Sequence, residues 1–126
     1  MAEQKTITPN PVEVTLSIIG GKWKPLIVFA LLSGTKRFSE LRRFLPQATQ
    51  QMLTMQLREL EQAGILHRQV YAQVPPKVEY SLTEMGRSLE PVLRQMCRWG
   101  EWYSKQMGLE CQPLISESNS TLSHTK

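Results

Sequence analysis

The sequence predicts a mostly α-helical domain that carries one small β-hairpin. Three observations lead there. "QQMLTMQLRELEQAG" places Leu53, Leu57 and Leu60 at i, i+4 and i+7 and ends on Gly64, the pattern of an amphipathic helix with a glycine cap. "ILHRQVY" and "KVEYSL" are rich in strand-forming residues and flank "AQVPP", where proline lacks the N–H that a ladder needs. "TEMGRSLEPVLRQMCRWGEWYSKQMG" then returns to a helical period.

Each element follows in order. "PVEVTLSIIGG" reads as a short helix with Val12, Leu16 and Ile19 on one side and glycines at its end. "WKPLIVFALLSG" is apolar all round and is assigned to the buried centre, with Pro25 in its first turn and Gly34 ending it. In "KRFSELRRFLP", Ser39 is the expected N-cap, Leu41, Phe44 and Leu45 face inward, Arg42 and Arg43 outward, and Pro46 stops the helix. Thr49 caps the leucine-striped helix, and Thr83 caps the late one. In the late helix Met85, Leu89, Val92, Met96, Trp99 and Tyr103 alternate steps of four and three, a heptad seam of the kind that packs helix on helix. Pro91 should kink that helix or restart it, and Gly86 and Gly100 allow close approach. With Trp102, this seam is assigned to a dimer interface. Residues 1–9 are expected to be a flexible arm, 10–107 the domain, and 108–126 a disordered tail.

The chain of 126 residues holds one domain with a modest core, so a partner chain is expected to cover leftover apolar surface. The net charge of +4 is unevenly placed: from Lys22 to Lys77 there are nine basic residues against three acidic ones. A basic middle suits a polyanion. The face opposite the leucine stripe carries Gln51, Thr54, Met55 and Arg58, with Gln50 in the first turn. Two short helices joined by a tight turn, the second presenting such residues, match a helix-turn-helix whose second helix enters the major groove. A hairpin directly after it reads as a wing, bringing Arg68 and Lys77 towards phosphates. Lys36, Arg37, Arg42 and Arg43 join them as expected backbone contacts. The fold expected is therefore a winged helix-turn-helix, and the partner double-stranded DNA. The second reading is a winged-helix module for protein–protein interaction without DNA binding; the number of phosphate-compatible cations argues against it.

Other functions lack their residues. No apolar run approaches the roughly 20 residues of a membrane span, and "MAEQKTITPN" has no apolar signal core, so a cytoplasmic protein is expected. Cys97 and Cys111 do not form a disulfide framework. "GGKW" is not a phosphate loop, because Leu16 and Trp23 occupy the places of the required glycine and Ser/Thr. His67 and His124 have no cysteine at metal-ligand spacing, and the chain contains no aspartate. No enzyme, metal or cofactor is expected.

Taken together, "IGGKWK", "RFSELRR", "MLTMQLRELE", "VPPKVEYSLTEMGRSL" and the late Trp99 resemble the HxlR-type winged helix-turn-helix regulators over residues 10–103. The resemblance implies a small bacterial transcription factor, with a repressor expected, that binds a palindromic operator as a homodimer. It implies that the N-terminal helix, with Val12 and Leu16, joins the last helix in the dimer interface. It implies base reading by the Gln50–Arg58 helix and backbone or minor-groove contact by the "QVPPK" wing. Many such regulators respond to reactive electrophiles or oxidants through a cysteine directly before "PVE"; here that place holds Asn10, which forms neither thiolate nor disulfide. Cys97 is then the candidate redox residue, although Met96 and Trp99 beside it point to a buried, inert thiol. A small-molecule effector is expected to act beside the seam.

Overall fold

The structure, a computed structural model, describes residues 8–112 and Leu114. Residues 1–7 of the expected arm, and 113 and 115–126 of the expected tail, lie outside the described residues, as does His124. Helix α1 (Pro11–Ile19) opens on a reciprocal capping box. The Asn10 side chain accepts from the Glu13 amide at 2.8 Å, and the Glu13 carboxylate accepts from the Asn10 amide at 3.1 Å. Helix α2 (Trp23–Leu32) buries Ile27, Val28, Phe29, Ala30 and Leu31 in succession. It touches four of the other helices and the sheet, as suits an all-round apolar helix.

Strand β1 (Lys36–Arg37) has no counterpart among the expected elements. It pairs with β3 (Lys77–Leu82), Lys36 opposite Tyr80 and Arg37 opposite Glu79. With β2 (Leu66–Tyr71) this gives a three-stranded antiparallel sheet in the order β1-β3-β2. The pairing keeps Arg37 extended, at φ −87° and ψ 163°, so helix α3 (Phe38–Phe44) starts ahead of Ser39. Ser39 is therefore not the N-cap; it lies in the first turn, and the Glu40 carboxylate accepts the Arg37 amide at 2.7 Å instead. The turn that follows is tight. The Ala48 amide donates to the Leu45 carbonyl at 3.0 Å, and Ala48 is buried, so only a small side chain fits between the two helices.

Helix α4 (Gln50–Gln62) is fixed at both ends. The Thr49 hydroxyl accepts from the Met52 amide at 3.0 Å. At the other end Gly64 takes φ 81°, its amide donates to the Glu61 carbonyl, and the Ile65 amide donates to the Leu60 carbonyl, both at 3.0 Å. This is a Schellman motif, and it turns the chain directly into β2. Leu53, Leu57 and Leu60 are buried against α2. On the sheet, Leu66, Tyr80 and Leu82 are buried on the inner face, with Val78 half-buried beside them.

The late helix divides. Helix α5 (Glu84–Arg87) is one turn, and α6 (Glu90–Met107) restarts with Pro91 in its first turn. A proline there removes the N–H that a continuous helix would need. Met85 and the rest of the expected seam therefore sit on separate helices. Leu89 is half-buried against the domain's own core rather than on a free seam, because Leu93 beneath it is the buried anchor of α6. Thr83 holds the junction: its hydroxyl reaches the carbonyls of Gly64 and Ile65 at 2.7 and 3.0 Å and accepts the Gly86 amide at 3.0 Å. No single helix among the described residues is long and apolar enough to cross a membrane.

Candidate nucleic-acid interface

Burial of the leucine stripe forces the opposite face of α4 outward. Gln50, Gln51, Thr54, Met55 and Arg58 are all exposed, and with Thr49 they line one shallow, open depression. The hydroxyl of Thr54 is already committed, donating to the Gln50 carbonyl at 2.8 Å. Thr54 can therefore offer a ligand its methyl group or an acceptor lone pair, but not a donor. Lys24 of α2 pairs with the exposed Glu59 of α4 at the surface.

The cations assigned to phosphates do not share one surface. Arg68 stands opposite Tyr80 in the register, on the inner face beside α4. Lys77 stands opposite Tyr71, on the outer face with Glu79. It lies 3.5 Å from the Glu79 carboxylate and 4.8 Å from the Tyr71 ring centroid. Arg37 also falls on this outer face, opposite Glu79. Lys36 is drawn back onto its own domain, donating to Ser33 Oγ at 3.0 Å over the Phe44 ring. Arg42 is half-buried and Arg43 exposed on α3. Glu61 and Tyr80, which were not among the expected site residues, border the hollow that holds Arg58 and Arg68. The i, i+3 spacing of Arg58 and Glu61 was the one legible sign.

A second exposed surface runs along α6. Val92, Met96, Trp99, Trp102 and Tyr103 all face solvent, with Trp99 60% exposed and stacked on Tyr103 at 5.1 Å between ring centroids. On α1, Val12 and Leu16 are exposed as well, and Met85 is exposed on α5.

A tight α3–turn–α4 pair followed by a hairpin is the arrangement of a winged helix-turn-helix, and residues 18–107 match the family model of the HxlR-like helix-turn-helix. The chain belongs to the HxlR-like helix-turn-helix family. It is 61% identical over 105 residues to the HTH-type transcriptional regulator YybR of Bacillus subtilis, covering 80% of this chain and 84% of that one. Among solved structures it is similar to the redox regulator HypR in its reduced form, with 58% identity, a TM-score of 0.75, and coverage of 79% of this chain and 98% of that one. It is also similar to the HTH-type transcriptional regulator YtcD, with 55% identity, a TM-score of 0.73, and coverage of 77% and 99%.

Within this HxlR-like chain, position 10 has a structural task, since Asn10 caps α1 through its side-chain oxygen. Cys97 is half-buried, packed against the core on the Leu93 side of α6. Its expected neighbours Met96 and Trp99 are themselves exposed, so its shielding comes from the opposite face. Burial first, and the Glu101 carboxylate 3.9 Å away second, push the Cys97 thiol above its ordinary range. A protonated thiol is a poor nucleophile. Iodoacetamide at neutral pH should therefore label the exposed Cys111 well before Cys97, as read by peptide mass spectrometry. Faster labelling of Cys97 would show that its surroundings activate it.

Proposed function

We propose that this protein is a DNA-binding transcriptional regulator, a repressor, that acts as a homodimer on a two-fold symmetric operator. The single observation that carries the reading is the exposed face of α4, where Gln51, Thr54 and Met55 stand clear of the domain while the leucine stripe behind them is buried. Amide, hydroxyl and flexible apolar side chains suit base edges and the thymine methyl group better than they suit simple solvation. Residues 10–107 form the working unit. Helices α1 and α6 are assigned to the dimer, a small molecule beside α6 is the proposed effector, and the cytoplasm is the proposed location. A module for protein partners alone is not favoured, because Arg58 on α4 and Arg68 on β2 border one hollow and Arg43 is exposed on α3.

Selection of duplexes from a random library by the wild-type protein should return a palindrome with half-sites about one helical turn, roughly 34–36 Å, apart. Gln51→Ala and Thr54→Ala should alter the bases preferred within each half-site by about 1–3 kcal/mol of discrimination. Lys77→Ala should change affinity less than about twofold, because a side chain already paired with Glu79 contributes little to a phosphate contact. Recovery of no common sequence would remove the reading.

A further inference from the structure

Between the C-terminal half of α4 and the inner face of the hairpin lies a cavity of about 240 Å³, lined by Thr54, Leu57, Arg58, Glu61, Arg68 and Tyr80. Leu57 and Tyr80 are the buried residues of this lining. Two guanidiniums border it from two different elements, and neither forms an ion pair among the described residues. Glu61 offsets only one of the two charges. Like charges around one hollow repel each other until an anion enters.

The geometry favours a phosphate over a base as that anion. A guanine edge is met by one guanidinium fork, whereas a phosphodiester offers two non-bridging oxygens that separate guanidiniums can share. The Thr54 hydroxyl donates to Gln50 and cannot take part as a donor, which leaves the grip to the arginines. We propose that this cavity seats one DNA backbone phosphate, held jointly by Arg58 from α4 and Arg68 from β2. Arg58 then sets the register of α4 in the groove instead of reading a base, in contrast to its assignment from sequence. The proposal rests on the DNA-binding reading above and adds the ligand of this one site.

Arg58→Ala, Arg68→Ala, the double variant and Glu61→Gln are to be compared on two duplexes, one selected by the wild type from a random library and one of random sequence, across a salt series. Each arginine variant should bind both duplexes about tenfold more weakly, with the preference between them unchanged and the salt dependence flattened. The double variant should depart from the product of the two single losses, since both groups hold one phosphate. Glu61→Gln, which removes the opposing carboxylate, should tighten binding to both duplexes. Loss of preference at a single base pair in Arg58→Ala would make Arg58 a base reader and overturn the proposal. Independent, multiplying losses would overturn the shared phosphate. A wild type that binds neither duplex would instead remove the DNA-binding reading, and this proposal with it.

Discussion

Gly86→Ala is expected to destabilise the protein by about 3 kcal/mol, a fall of roughly 10–20 °C in melting temperature for a domain of this size. Gly86 is buried at the start of α5, and a Cβ built there falls inside the contact distance of the Ile65 backbone carbonyl oxygen and close to Leu82. A backbone atom cannot rotate away as a side chain does, so α5 must move. That movement would pull on Thr83, whose hydroxyl ties the Gly64 and Ile65 carbonyls to the Gly86 amide. Those are the same carbonyls that lead from the cap of α4 into β2, so loosening them disturbs both α4 and the hairpin. Gly100→Ala is the control: among the described residues, no atom beyond its own stretch of helix backbone lies within 4 Å of its Cβ position, and alanine in a helix interior should stabilise by up to about 1 kcal/mol. Thermal denaturation of both variants tests the pair. A Gly86→Ala protein as stable as wild type would mean that α5 shifts freely.

Trp99→Ala is expected to weaken homodimerisation by at least about 2 kcal/mol, a thirtyfold or greater rise in the dissociation constant. Trp99 is 60% exposed, stacked on Tyr103 and 6.1 Å from the Trp102 ring, and flanked along α6 by exposed Val92 and Met96. Large aromatic side chains grouped on one helix face are the residues that dominate interfaces when truncated. In a monomer, by contrast, truncating so exposed a side chain changes stability by less than about 0.5 kcal/mol. The expected signature is therefore selective: the variant dissociates at micromolar concentration in sedimentation, while its folded chain stays intact by circular dichroism. A monomeric wild type would sink the dimer model. A variant as dimeric as the wild type would place the interface elsewhere.

Helix α4 was legible because all its determinants lie within sixteen neighbouring residues. Thr49, the Leu53–Leu57–Leu60 stripe and Gly64 specify where α4 starts, which face it buries and where it stops, and the structure has each of them in that role. Alternation in "KVEYSL" likewise placed Tyr80 and Leu82 inward. Errors arose where a distant pairing overrode a local preference. Ser39 is a good cap by type, yet Arg37 takes the cap position because β1 is held extended by β3, some forty residues further along. The heptad steps from Met85 to Tyr103 are present in the sequence, but they cross a break at Ser88 and Leu89, so Leu89 turns to the core and leaves the seam.

By itself, then, the sequence determined the kinds of element, their order, most of their caps and the family to which the chain belongs, since hydrogen-bond capping and apolar period act over a few residues. Only the tertiary structure decided what each functional side chain faces. Arg68 and Lys77 look equivalent as basic residues of one hairpin, but the antiparallel register puts them on opposite faces, Arg68 beside Arg58 and Lys77 against Glu79. Side-chain direction in a strand reverses at every residue, so a partner is fixed only when the register between strands is fixed. Alternation in "KVEYSL" already turns Lys77 away from Tyr80, but "ILHRQVY" does not alternate, and the face that Arg68 takes follows only from its pairing with Tyr80 across the hairpin.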